Sequence, residues 1–301
     1  MHVVAGHGVK LGQQAKVIRD SCKCKWVQIV HTDPEELGMF KSYKNPILTG
    51  EQKHHKEVEL CKMADFVVGV GPKLTEAFRG YLRWSKKDFF EFTPGVFADF
   101  SSAQLVVKSK QCRVLVFGRS DSEDFELKGF DIAARSVATL SDTLLYFVGV
   151  PHGKQEEITK RFVALGIPVN RLWVRGYVES REDLKQLFCE VDLVLMPTRT
   201  EGFGLMGLEA MSAGLPVIVS KNSGFGEALS HVRFGSHFVI DSEDSREWTA
   251  AIKDISNRDR KSVRDEVETV RSYYGKRYSW STQCKHLIEK MDKLVHGMNY
   301  I

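Results

Sequence analysis

Apolar residues in this chain gather in short, crowded runs. RVLVFG (113–118), LLYFVGV (144–150), LWVRGYV (172–178), DLVLMPT (192–198), LPVIVS (215–220) and HFVID (237–241) are rich in β-branched side chains and almost free of polar alternation. Such runs predict strands covered on both faces. Between them lie amphipathic stretches with helical spacing: FDIAARSVATLS (130–141), QEEITKRFVALG (155–166) and REDLKQLFCEV (181–191). Strand alternating with helix implies parallel strands flanked by helices, so residues from about 111 to 257 predict an α/β, doubly wound domain. A smaller α/β block precedes it. Its strands are HVVAG (2–6), KWVQIVH (25–31), DFVVGVG (65–71) and DFFEF (88–92), with helices near 11–20, 51–63 and 73–84. FTPGVFADFSSAQ (92–104) reads as the linker, and the chain after 257 as helix, closing with WSTQCKHLIEKMDKLVHG (280–297). The division is therefore 1–94, a linker at 95–110, 111–277, and a closing helix at 278–301 that packs back on the first block. A first block of four strands before a second of six suggests that the chain starts part-way into its first domain.

Composition narrows the function classes. The 301 residues are 43% hydrophobic, enough for a substantial core, yet no apolar run is long enough to cross a bilayer and no secretory leader opens the chain. Six scattered cysteines without a CxxC pair suggest free thiols, a reducing compartment and a cytoplasmic location. The net charge of +4 suits a small anionic ligand and falls short of a nucleic-acid footprint. Basic stretches such as RDRKSVRDE (258–266) carry acids within them and read as solvated helix faces.

Candidate chemistry falls at the C-terminal ends of strands, where open α/β sheets bind ligands. In RTEGFGLMGLEAMSAGLPVIVS (199–220), two acids bracket an apolar, glycine-rich run. A helix beginning near Leu205 leaves the N–H groups of Gly202, Phe203, Gly204 and Leu205 free for ligand oxygens. Glu201 stands just ahead of that helix. Glu209 lies within it and needs a donor, which a vicinal diol would supply. The plainer alternative pairs Glu209 with a distant arginine and makes Glu201 a helix cap. In FGRSDSEDFELKGFD (117–131), Gly118 and Arg119 follow a strand and Lys128 precedes Gly129 at a helix start. Two cations at one crevice suit a diphosphate, or else balance Asp121, Glu123 and Asp124. His31, in VHTDPEELG (30–38), closes a strand of the first block and can face the second across a cleft, or serve as a hydrogen-bonded structural residue. Asp33, Glu35 and Glu36 read as acids at the positive end of a helix, not as a metal cluster. GHGVKLG (6–12) misses the phosphate-loop spacing, because Leu11 stands where the third glycine belongs.

The second half resembles the donor domain of the retaining glycosyltransferases of family 4, which have the GT-B fold of two Rossmann-like domains facing across a cleft. The resemblance is carried by the E-x7-E run EGFGLMGLE from Glu201 to Glu209, by AMSAGLPVIVS and SGFGE (223–227) after it, and by Gly118–Arg119, Lys128–Gly129 and RGYV (175–178) before it. TPGV (93–96) matches the linker and YSW (278–280) the start of the closing helix. The resemblance implies a donor sugar on a nucleoside diphosphate such as UDP, GDP or ADP, an unknown acceptor, retention at the anomeric carbon, and no cofactor; with no D-x-D triplet, it implies no metal. Glu209 resembles the residue that holds the ribose hydroxyls. Glu201 and the N–H groups of 202–205 resemble the holders of sugar and distal phosphate. Arg119 and Lys128 resemble the pair that neutralises the leaving diphosphate, Arg175 stands where the base lies, and His31 resembles the histidine that reaches the donor sugar. Two departures stand out: Ser223–Gly224 replaces the usual glycine pair, and the glycine-rich loop that opens the family's first domain has no match. The alternatives are a nucleotide-sugar-binding module of a longer polypeptide without catalysis, or an epimerase or phosphorylase of related fold.

Overall fold

The structure is a computed structural model that describes residues 2–40, 46–100, 111–118 and 124–297. The first half builds strand β1 (Val3–His7), helix α1 (Gly8–Cys22), β2 (Lys25–Val30), α2 (Pro34–Phe40), α3 (Pro46–Met63), β3 (Phe66–Val70), α4 (Pro72–Tyr81) and β4 (Phe89–Phe92). The four strands are parallel and lie in chain order, β1-β2-β3-β4. Strand β2 shows how the pleat sorts its side chains. Trp26 and Val30 turn toward α1, α3 and α4, meeting Ala15, Leu60, Val58, Leu74 and Phe78. Val27 and Ile29 turn to the other face, where they meet Leu287, Met291 and Leu294 from the far end of the chain. A right-handed crossover between sequential neighbours keeps returning to one face. The other face therefore needs a lid from elsewhere in the sequence.

The second half runs β5 (Cys112–Phe117), α5 (Phe130–Ala138), β6 (Thr143–Val150), α6 (Gln155–Ala164), β7 (Leu172–Gly176), α7 (Arg181–Glu190), β8 (Leu193–Met196), α8 (Leu205–Ser212), β9 (Val217–Ser220), α9 (Gly224–Ser230) and β10 (Val239–Ile240). Three helices follow: α10 (Ser245–Asn257), α11 (Arg260–Arg277) and α12 (Trp280–His296), which supplies the lid on the first sheet. The parallel strand order is β10-β9-β8-β5-β6-β7. One face is covered by α5, α6 and α10 through Phe130, Phe162 and Trp248. The other is covered by α7, α8 and α11 through Phe188, Leu208 and Val267. The chain works outward from β5 in one direction and then returns to add β8 on its other side. The β5/β8 pair is thus the point where strand order reverses, and the loops after those two strands open a crevice there.

The two halves are tied at the linker. The Gln283 amide pairs with both backbone groups of Thr93: its Nε2 donates to the Thr93 carbonyl at 2.8 Å and its Oε1 accepts the Thr93 N–H at 2.8 Å. Tyr274 donates to the Pro94 carbonyl and Trp280 to that of Val96. Gly95 leaves no room for a side chain, since a Cβ there would stand 2.3 Å from the Tyr278 carbonyl oxygen. Ser279 of the YSW run caps α12 by accepting the Thr282 N–H.

Candidate active site

The loops after β5 and β8 meet the first half across a cleft of about 910 Å³. Its walls include His31 and Thr32 after β2, Gly118 after β5, Lys128 before α5, and the segment from Glu201 to Glu209. Short elements hold that segment. Glu201 forms a parallel bridge with Ser223, its N–H reaching the Asn222 carbonyl at 3.2 Å. Phe225 donates its N–H to the Phe203 carbonyl at 2.6 Å. The Phe203 ring is buried against Gly71 and Gly224, so this residue offers the cleft its backbone rather than its side chain. Gly204 takes the position before α8 with φ of 98°, a left-handed conformation that favours glycine. Among the described residues, the N–H groups of Gly202, Phe203, Gly204 and Leu205 donate to nothing, and α8 adds its positive end behind them. The helix cap is therefore Gly204, not Glu201.

The charges divide into paired and unpaired. Lys128 Nζ lies 2.7 Å from Glu201 Oε1. Burial pushes the lysine down, but the facing carboxylate outweighs it and the net direction is up, so the ammonium is charged. Glu209 is half-buried on the cleft wall, and its carboxylate meets no hydrogen-bonding or ion-pair partner among the described residues. Burial raises its pKa, partly countered by the charge of Arg181, which is itself paired with Asp99 at 2.8 Å. His31 is stacked on His7, ring centroids 4.1 Å apart, and its Nδ1 is buried without a partner among the described residues. Burial, and then the charge on His7, push His31 below the usual histidine range, so it is neutral near pH 7. Behind the cleft, Arg199 grips Asp131 with two nitrogens, at 2.8 and 3.0 Å, and fixes the loop after β8 to α5.

The structure thus brings His31, Gly118, Lys128, Glu201, Gly202, Phe203, Gly204, Leu205 and Glu209 to one cleft. Arg119 lies outside the described residues. Arg175 does not reach the cleft: it pairs with Glu190 at 2.7 Å and lines a separate depression with Tyr177 and Val178. Asp33 accepts the N–H groups of Glu35 and Glu36 at the start of α2, and among the described residues no cluster of His, Cys, Asp or Glu could hold a metal. Sequence reasoning passed over His7, Arg181 and Lys73. His7 ends β1 as His31 ends β2, so the strand-end rule could have found it; Arg181 and Lys73 carry no such signal.

Residues 1–287 match the family described as family 4 glycosyltransferase in conflict systems. The chain belongs to that family. Relatives include D-inositol 3-phosphate glycosyltransferases from Corynebacterium urealyticum, 24% identical over 92% of this chain and 68% of that protein, and from Corynebacterium kroppenstedtii, 28% identical over 95% and 65%. A Mycobacterium relative of the same name is 30% identical over 57% of this chain and 38% of its own length. This family 4 chain therefore spans about two thirds, or less, of the curated relatives it matches. Among solved structures, sucrose-phosphate synthase from Thermosynechococcus elongatus superposes with a TM-score of 0.77 at 18% identity, covering 97% of this chain and 73% of that one. Anabaena Alr3699/HepE, solved in complex with UDP-glucose, gives 0.73 at 17% identity, covering 97% and 78%. The fold is that of these GT-B glycosyltransferases. Among the described residues no helix is long and apolar enough to cross a membrane.

Proposed function

We propose that this chain carries the donor site of a retaining glycosyltransferase, which moves a sugar from a nucleoside diphosphate to an acceptor without a metal. The observation that carries this is the convergence, at one strand-order reversal, of three things: the unpaired Glu209 carboxylate, the free N–H groups from Gly202 to Leu205, and the charged Lys128. A carboxylate that accepts two hydroxyls suits a ribose. Helix-start N–H groups and an ammonium suit phosphate oxygens.

Breaking the glycosidic bond leaves negative charge on the diphosphate and positive charge on the sugar. Lys128 and the helix start are fixed before reaction and aimed at the departing phosphates, which is where preorganised dipoles stabilise a transition state. Lys128 has three N–H donors, so it can keep Glu201 and still meet a phosphate oxygen. Glu201 then faces both the cation and the sugar hydroxyls. Neutral His31 adds no positive charge beside the developing oxocarbenium and can still hydrogen-bond a sugar hydroxyl. Arg119 is the second phosphate cation in this reading, and the backbone at 175–178 the neighbour of the base. Six free cysteines, Cys24 and Cys61 among them buried, support a reducing, cytoplasmic setting.

A thermal-shift panel of UDP, GDP, ADP and their sugars tests the reading, since a ligand bound only by the folded state raises the melting temperature. One nucleotide series is expected to protect, and its sugar form to be consumed. Absence of protection by every member overturns the donor site; protection without release of sugar reduces the chain to a binding module.

A further inference from the structure

We propose that Lys73 is a positioning residue whose ammonium makes the order of the 200–205 donor loop conditional on closure of the cleft. The proposal rests on the donor-site reading for its catalytic meaning, though not for its geometry.

Lys73 is the second residue of α4, in the first half of the molecule. Its Nζ lies 2.8 Å from Glu36 Oε2, also of the first half. From the second half it meets Thr200 Oγ1 at 2.8 Å, the Asn222 carbonyl at 3.1 Å and the Glu201 carbonyl at 3.5 Å. An ammonium has three N–H donors, so three of these oxygens are well served and the fourth is a longer electrostatic contact. The side chain is only 14% exposed. Hydrogen bonds from a charged donor in such a place are stronger than neutral ones.

The two carbonyls are not arbitrary. Asn222 O also accepts the Glu201 N–H, and Glu201 is the residue whose carboxylate takes Lys128. Lys73 therefore holds both sides of the bridge that aims the loop. The surrounding contacts allow this only when the halves touch. A Cβ on Gly202 would stand 2.1 Å from the His31 carbonyl oxygen, and one on Gly71 would stand 2.8 Å from the Phe203 ring. If the halves part, Lys73 keeps Glu36, which travels with it, and loses all three oxygens of the second half, two of them in the donor loop. The loop is then bound only by its own half. Closure and loop alignment become one event, so the free N–H groups are presented to the donor when the cleft is shut.

Hydrogen exchange of the ligand-free protein tests the geometry directly. Lys73→Met strands Glu36, so K73M/E36Q is made beside it. In both variants the Glu201 and Phe225 amides are expected to exchange about tenfold faster or more, while the amides of β5 and β6 keep their wild-type rates. Lys73→Arg, which keeps the charge and the donors, is expected to restore slow exchange in part. Unchanged rates at Glu201 and Phe225, or equal acceleration throughout the molecule, overturn the proposal. A second arm adds the nucleoside diphosphate that protects the wild type. K73M is expected to lower kcat for donor turnover about tenfold or more while the nucleotide Kd moves less, because Glu209 keeps its place on α8. A proportional loss in Kd overturns the positioning role. If the wild type binds no nucleotide, the donor-site reading fails while the exchange arm still decides the role of Lys73.

Discussion

Glu57 is an acid in the wrong place for an acid. It is 2% exposed under α1, and among the described residues its hydrogen-bonding neighbour is the Gln28 amide, whose Nε2 donates to Glu57 Oε1 at 2.9 Å. Burial raises its pKa from an ordinary 4.5 to about 7, against the opposing pull of the Gln28 hydrogen bond. Gln28 Oε1 is itself buried without a partner among the described residues. A protonated Glu57 can donate to that oxygen and close a two-bond ring with the amide. The sign follows from linkage. The folded protein keeps this proton at a pH where the unfolded chain has released it, so the contribution to stability is complete below 4.5 and is lost as pH rises through about 7. At about 1.36 kcal/mol per pH unit, the full loss is about 3 kcal/mol, most of it between pH 5 and pH 8. Glu57→Gln keeps the shape, removes the titration and supplies the missing donor. Urea unfolding of both proteins, followed by tryptophan fluorescence at several pH values, isolates the effect in their difference, since every other group titrates alike. The variant is expected to gain about 2–3 kcal/mol on the wild type from pH 5 to pH 8. A difference that stays flat across that range refutes the argument.

Three further outcomes are expected. Gly202→Ala places a methyl against the His31 carbonyl, where a Cβ has 2.1 Å, and should cost about 1–3 kcal/mol by forcing the halves apart; thermal melting together with small-angle scattering measures both effects. Glu209→Ala removes the unpaired carboxylate from the cleft and should weaken binding of the protecting nucleoside diphosphate by roughly ten- to a hundredfold, read by calorimetric titration, with the melting temperature of the free protein little changed. Arg199→Ala leaves Asp131, 7% exposed, without its two-nitrogen partner, and should destabilise the protein by about 3–5 kcal/mol in urea unfolding.

Much of the fold was legible in the chain because its strands are covered on both faces. LLYFVGV and LPVIVS are apolar almost throughout, and only a sheet interior accepts such runs beside amphipathic helices. The E-x7-E spacing placed Glu201 before a helix and Glu209 within it, and both line the cleft. These are local properties: periodicity, turn residues and the start of a helix are written in consecutive residues. The order of strands is not. That β8 returns to lie beside β5 follows from how six strands and their helices pack, and it alone sets Gly118 and Lys128 against the 201–209 segment.

Pairing within the cleft is a tertiary fact as well. Lys128 on Glu201 joins residues 73 positions apart, and His31 lies over His7 across a helix. Lys73, an unremarked lysine in a surface-like pattern, gathers oxygens from both halves. The lid of α12 on the first sheet links the last helix to the first strands, because sequential right-handed crossovers leave that face bare. The sequence by itself determined the elements and the E-x7-E motif, since both depend on near neighbours. The tertiary structure decided which charges are spent on each other and which remain for a ligand, since that depends on distance in space.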